Sequence, residues 1–266
     1  MGYITPMFSP AATDALAIVV LVAVCLAPLV WCVALYLRKP FGPFQFVLWI
    51  LSVLLVRLLW RARFEGRLPL EPGTGAVVVC NHRSPIDPFF LQAYAPMKIH
   101  WMVAREYCQS GPVGKLLHVC EVIPVGRAGI DTKATKIALR YVERGEPVGI
   151  LPEGRLNVSD QLMMPGRPGA AYVALKARVN VYPCYIEGSP RGKTILSSFF
   201  MSARARVAFG PEIDISPYYG RQDERGVLEQ LTRRFMREIA RLAGDDHFQP
   251  RLAGRRWKPG EEQDDP

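Results

Sequence analysis

The chain of 266 residues has no Cys-x-x-Cys pair among its six cysteines and only four, scattered histidines. That excludes the spacings from which zinc sites are normally built, so no metal is expected. Cys25, Cys32, Cys80, Cys108, Cys120 and Cys184 read as small buried hydrophobes in a reducing compartment. No RNA- or DNA-binding motif is present, and the aromatics do not interleave with a basic stripe, so nucleic acid is not an expected partner. Neither Ser84 nor Ser159 lies in a Gly-x-Ser-x-Gly elbow, which argues against a serine hydrolase. No internal repeat is found. Residues 15–37 lack charge altogether, and residues 1–15 lack lysine and arginine. Without a basic n-region, a cleaved signal peptide is not the expected reading of the N-terminal block.

What is present is apolar and basic. Half of the residues are hydrophobic, the net charge is +9 and the isoelectric point about 9.4. Such a balance favours an anionic partner, such as membrane lipid or a phosphorylated substrate. As a helix, Ala15 to Leu37 would be about 34 Å long, enough to cross a hydrocarbon core of about 30 Å. Pro28 inside it is tolerated better in lipid than in water. A second apolar segment, Phe44 to Trp60, would reach only about 25 Å and carries Arg57. Basic residues flank it on both sides, Arg38 and Lys39 before and Arg61, Arg63 and Arg67 after. If both segments crossed, one basic cluster would lie outside, against the positive-inside tendency. One span followed by an interfacial or re-entrant segment is therefore expected, with a helical hairpin as the alternative. In the one-span arrangement the domain that follows faces the cytosol and the N-terminus does not.

The expected organisation is a membrane segment at 1–62, with apolar helices at 15–37 and 44–60, a domain at 63–244, and a charged, flexible tail at 245–266. Within the domain, strands are expected at 76–80, 121–125, 148–151, 181–187 and 205–209, and 98–103 is a further apolar run. Helices are expected at 88–95, 111–120, 132–144, 169–176 and 225–242. The alternation implies an α/β fold: a mixed, largely parallel sheet flanked by helices, with ligands bound where strands end.

The most informative stretch is VVVCNHRSPIDPFF, residues 77–90. Asp87 before Pro88 could simply start a helix, Asp as N-cap and Pro at the first helical position. The polar lip Asn81-His82-Arg83 after a buried strand needs more. Five residues turn about 140° past whole turns on a helix, so His82 and Asp87 would not share a face of one. With a turn at Ser84-Pro85, Asp87 can fold back onto the imidazole, fix its tautomer and leave the other nitrogen as a base. Spacing alone leaves both readings open.

NHRSPID matches an Asn-His-x4-Asp pattern, and three more blocks follow it: IPVGRAG, GILPEGRLNVSD and VNVYPCYIEG. In order and separation, over roughly residues 75–190, they resemble the glycerophospholipid acyltransferase family, whose best-known members are the 1-acylglycerol-3-phosphate O-acyltransferases. The resemblance implies acyl transfer from a thioester, acyl-CoA or acyl carrier protein as co-substrate, to the free hydroxyl of lysophosphatidic acid, forming phosphatidic acid. No bound cofactor is implied. His82 would be the general base and Asp87 its orienting partner. Arg127 and Arg155 would clamp the phosphate, and Glu153 would position the acceptor hydroxyl or one of these arginines. Backbone N–H groups near Gly154 would serve the oxyanion. The third block departs from the common Pro-Glu-Gly-Thr-Arg-Ser, with Arg155 directly after Gly154, which leaves another lysophospholipid or an aminolipid open as acceptor. A non-catalytic, membrane-anchored lipid-binding protein is the reading from another class, and the His82–Asp87 pair argues against it. The implied setting is a membrane bilayer, the bacterial inner membrane or its equivalent.

Overall fold

The protein is described from a computed structural model covering residues 10–109, 111–126, 131–192 and 194–254, with side chains from residue 14 onward. Helix α1 (Pro10–Leu37) carries the apolar stretch Asp14–Leu37, 24 residues long, in which no residue is buried; near its end Tyr36 lies with its ring 5.2 Å from that of Phe46. A helix hydrophobic on every side needs an apolar surrounding. Helix α2 (Pro43–Leu54) runs on through a π-helical turn at Leu55–Leu59. This second segment is two-faced. Phe46, Ser52, Val56 and Trp60 are buried, whereas Phe44, Val47, Leu51, Leu54 and Leu58 point outward. Gln45 Nε2 donates to Val119 O at 2.7 Å and Lys39 Nζ to Pro96 O at 3.2 Å, tying the segment to the domain. A helix with one face in a protein core cannot also be lipid-covered all round.

The chain then builds a seven-stranded sheet from β1 (Arg63–Glu65), β2 (Ala76–Cys80), β3 (His100–Ala104), β4 (Ile123–Val125), β5 (Pro147–Ile150), β6 (Asn180–Glu187) and β7 (Arg206–Phe209). The spatial order is β1-β7-β6-β2-β5-β3-β4. Every pairing is parallel except β6 with β7, so the mixed, largely parallel sheet expected from the sequence is what forms. The helices between strands are α3 (Asp87–Tyr94), α4 (Arg105–Cys108), α5 (Gly111–Val119), α6 (Thr132–Glu143), α7 (Gly169–Ala177) and α8 (Ile195–Phe200), and α9 (Val227–Leu242) follows the last strand.

Strand β2 lies at the centre and is buried at all five positions. Successive side chains of a strand point to opposite faces, and here each face has its own core. Val77 and Val79 join the layer made by α6, α7 and α9. Ala76, Val78 and Cys80 join the layer of α3, in which Trp60 and Val56 of the second apolar segment are packed. Trp60 is fully buried, its ring 4.9 Å from that of Phe90.

Three elements escape sequence reading. β1 is three residues with charged ends, formed by its ladder to β7 and the Arg206–Glu65 ion pair at 2.7 Å. α4 and α8 are only four and six residues long. The expected free tail at 245–266 is also corrected up to residue 254. Gly166 N donates to Arg251 O at 2.8 Å, Ala253 N to Gly166 O at 2.9 Å, and Arg233 Nη1 to Pro250 O at 2.6 Å, so these bonds dock the stretch onto the domain. Of the cysteines, Cys80 and Cys184 are buried neighbours on β2 and β6, and burial pushes both thiols up. The other four are not buried, which corrects the expectation for them.

Trp60→Ala should therefore loosen the second apolar segment from the sheet. A cavity of that size costs about 3–5 kcal/mol. Thermal unfolding in detergent should show a clearly lowered Tm; an unchanged Tm would mean the segment is only loosely apposed.

Candidate active site

Parallel neighbours end together, and this places the motifs. Val79 is in register with Ile150 and Cys80 with Cys184, so β2, β5 and β6 all deliver their C-terminal loops to one end of the sheet. Asn81 closes β2 by acting as a peptide: its Nδ2 donates to Ile186 O and its Oδ1 accepts from Ile186 N, both at 2.8 Å. His82 follows at the lip, its side chain 18% exposed.

The turn expected at Ser84-Pro85 is formed, and it brings Asp87 back. Asp87 Oδ2 accepts from Arg83 N at 2.7 Å and Ser84 N at 2.8 Å and lies 3.2 Å from His82 Nδ1. Asp87 is thus the first residue of α3 and not its N-cap; the cap position is Ile86, with no side-chain bond. The N-cap reading of Asp87 is set aside, because its carboxylate faces the preceding loop. With Nδ1–H donated to a carboxylate, the lone pair sits on Nε2. That atom has no hydrogen-bond partner among the described residues.

Glu153 braces the backbone of His82. It is fully buried; Oε1 accepts from His82 N at 2.7 Å and Oε2 from Met164 N at 2.8 Å. The expected contact with an acceptor hydroxyl or an arginine is therefore corrected: both oxygens are occupied by backbone donors and neither reaches the surface. Burial pushes its carboxyl up to about 8, against the two backbone N–H groups that hold it down. From the other side Asn157 N donates to His82 O at 2.8 Å. Asn157 is itself buried and ordered, its Nδ2 on Gln161 O at 2.9 Å and its Oδ1 accepting from Ser159 Oγ at 2.7 Å. Arg83 Nη1 donates to Ser159 O at 2.8 Å, and Ser84 Oγ donates to Pro190 O. The loops after β2, β5 and β6 are thereby fastened to one another.

Gly154 sits at φ +64°, a conformation glycine adopts freely and other residues do not. Its N–H donates to Leu151 O at 2.9 Å, which corrects the expectation that this particular group serves an oxyanion. A Cβ at Gly154 would stand 3.2 Å from Arg167 Cδ, so the Arg167 side chain lies across the Pro-Glu-Gly turn beside Arg155. Burial, then the neighbouring Arg155 charge, lower the Arg167 guanidinium from its ordinary value. Among the described residues the Arg167 guanidinium has no hydrogen-bond or ion-pair partner, so two cations share one turn. Arg127 lies outside the described residues.

Sequence reading missed Asn157 and Arg167. Neither has a periodicity or motif signal; Arg167 is placed only by the bond from its N–H to Pro152 O at 2.8 Å. His100, by contrast, is at the far, N-terminal end of β3. It is fully buried, 3.0 Å from Glu121 O and 2.5 Å from Glu146 Oε2, and stacked on Tyr141, a packed residue remote from this site. Among the described residues no cluster of metal-ligating side chains occurs.

Residues 61–187 match the family model described as Acyltransferase. The human 1-acyl-sn-glycerol-3-phosphate acyltransferase beta is 31% identical over 150 residues, 54% of this chain and 54% of that protein. The 1-acyl-sn-glycerol-3-phosphate acyltransferase of Bacillus subtilis is 28% identical over 127 residues, 47% of this chain and 62% of that one. The chain thus spans between half and two-thirds of the length of these relatives. The fold is similar to the crystal structure of the 1-acyl-sn-glycerophosphate (LPA) acyltransferase PlsC from Thermotoga maritima. Its TM-score is 0.55 at 17% identity, covering 74% of this chain and 80% of that one.

Glu153→Gln should separate bracing from charge. One amide oxygen can still accept, but the NH2 then meets a backbone donor, at a cost of about 1–3 kcal/mol. The wild-type carboxyl, raised in the folded state, contributes most stability below about 4.5 and loses it as pH rises towards about 8. The Tm deficit of the variant should therefore be largest at acid pH and shrink towards pH 8; a constant deficit contradicts the buried neutral form.

Proposed function

Because residues 61–187 match the family model described as Acyltransferase, we propose that the protein is a membrane-bound 1-acylglycerol-3-phosphate O-acyltransferase that converts lysophosphatidic acid to phosphatidic acid. The observation that carries the reading is the His82–Asp87 pair at 3.2 Å, at the lip of the central strand and braced through Glu153. His82 Nε2 takes the proton of the acceptor hydroxyl as its oxygen attacks the thioester carbonyl. Asp87 holds the ring and offsets the imidazolium charge. The tetrahedral intermediate expels the thiolate, which recovers the proton from His82, leaving an ester and a free thiol. The donor is a thioester of coenzyme A or of acyl carrier protein. Arg127, Arg155 and Arg167 supply the charge for the phosphate, by bidentate bonds where geometry permits. A phosphate dianion bound there would offset the repulsion that the Arg155 charge exerts on the Arg167 guanidinium.

For location, α1 supplies one span of about 36 Å, and the two-faced second segment supports an interfacial helix over a second crossing. We place the catalytic domain on the cytosolic side, because the juxtamembrane Lys and Arg all follow residue 37.

His82→Ala should reduce acyl transfer by about 10²–10⁴-fold with folding intact. Asp87→Asn should fall in the same range, because its oxygen can keep the Arg83 and Ser84 bonds while the charge is lost. Single-turnover assays with labelled acyl-CoA check both; near-wild-type rates in folded variants would remove the base from the mechanism.

The acceptor can be tested separately. Arg127→Ala, Arg155→Ala and Arg167→Ala should each raise KM for lysophosphatidic acid, with little change for a monoacylglycerol. Equal losses on both acceptors would assign the arginines to the donor or to structure.

A further inference from the structure

Outside the two N-terminal apolar segments, large apolar side chains stand out of the domain in one place above all. Helix α8 exposes Leu196 at 68% and Phe200 at 77%, four residues apart and hence on one face, with Met201 next at 41%. This is not a frayed end. Thr194 Oγ1 caps the helix on Ser197 N at 3.0 Å, and the opposite face is packed, Phe199 lying 4.9 Å from the Phe89 ring and 6.1 Å from that of Trp60. Val158, 70% exposed, sits on the loop that Arg191 Nη1 holds by its bond to Asn157 O at 2.9 Å.

The patch is continuous with the membrane-proximal segment. Ala203 N donates to Leu59 O at 3.2 Å, Ala205 N to Trp60 O at 3.1 Å, and Arg61 Nε to Ala203 O at 3.3 Å. Leu58, 73% exposed, is thus next to the chain leaving α8. Arg57, Arg61, Arg191 and Arg204 are exposed around the same region, and among the described residues none of the four forms an ion pair. Apolar side chains ringed by cations without acidic partners fit the boundary between lipid headgroups and acyl chains.

We propose that α8 is a second bilayer contact, its Leu196–Phe200 face seated in an anionic phospholipid leaflet beside the His82–Asp87 pair. This rests on the reading that α1 lies in the membrane. It also gives the contact a purpose. The strand-to-helix loop before α8 accepts the Ser84 Oγ bond at Pro190 O, so α8 and the catalytic turn are held together. A lipid acceptor meets His82 at the leaflet surface without leaving the bilayer.

The test uses the full chain in nanodiscs containing phosphatidylglycerol, with bromine placed near either end of the lipid acyl chains. Phe200→Trp adds a fluorophore to α8; Trp31, exposed in α1, is read by comparison with Trp31→Phe. The expected result is that the bromine nearer the glycerol removes most of the emission added by Phe200→Trp, and that the Trp31 emission is also lost. Trp31 quenched with the α8 indole unquenched overturns the proposal, and Trp31 unquenched overturns the membrane reading beneath it. An α8 indole shielded from lipid bromine and aqueous acrylamide alike assigns the face to a second copy of the chain, which also overturns the proposal. In parallel, Leu196→Ser with Phe200→Ser should raise KM for a bilayer-presented lysolipid about tenfold or more and leave a monomeric short-chain acceptor unchanged. Equal losses on both would make the face structural and end the proposal.

Discussion

The arrangement at the end of the sheet depends on one buried carboxyl group bridging two backbone N–H groups. Glu153 holds His82 N–H with one oxygen and Met164 N–H with the other. It joins the turn after β2 to the segment that runs into α7, across a gap that no strand ladder covers. The cost of burying it appears as a carboxyl pushed up to about 8, and the two donors are what make the position tolerable. Without that bridge His82 would be a surface residue on a loose loop. With it, and with Asn157 N on His82 O, the imidazole projects from a backbone held on both sides.

The same logic of fastening extends outward. Asp87 gathers two backbone donors and the imidazole on a single oxygen, so the charge that supports the ring also closes the turn that positions it. Arg83 and Arg191 donate hydrogen bonds to the carbonyls of the 157–161 loop, and the Arg167 side chain lies across the Pro-Glu-Gly turn. The same residue type can stitch loops or meet an anion, and only its partners distinguish the two.

The second apolar segment and the turn that carries His82 and Asp87 are joined through Trp60. It is the last residue of an apolar segment whose outer face is exposed, yet it lies in the core beneath α3, the helix that begins with Asp87. The exposed apolar face of that segment and the His82–Asp87 turn are therefore two sides of one packed layer. The proposed function would use that fixed relation, because the height of a base above a leaflet decides whether a membrane-bound hydroxyl can reach it.

Much was legible in the chain because local physics sets it. Uncharged length marks α1, continuous Val-Val-Val marks a strand buried on both faces, and period 3.6 marks α6 and α9. The turn at Ser84-Pro85 makes a His82–Asp87 contact possible. What sequence could not decide was which of Asp87's two possible tasks it performs, since an N-cap and a histidine partner need the same residue at the same position. The folded turn settled that, by aiming the carboxylate at the imidazole and the loop before α3. Parallel register decided the rest, by setting the ends of β2, β5 and β6 side by side. It turned Glu153 inward to the backbone of His82, 71 positions away in the chain, and it laid Arg167 over Gly154. Contacts between such loops carry no local signal in the sequence, because only the shared end of the sheet brings them within hydrogen-bond or van der Waals range.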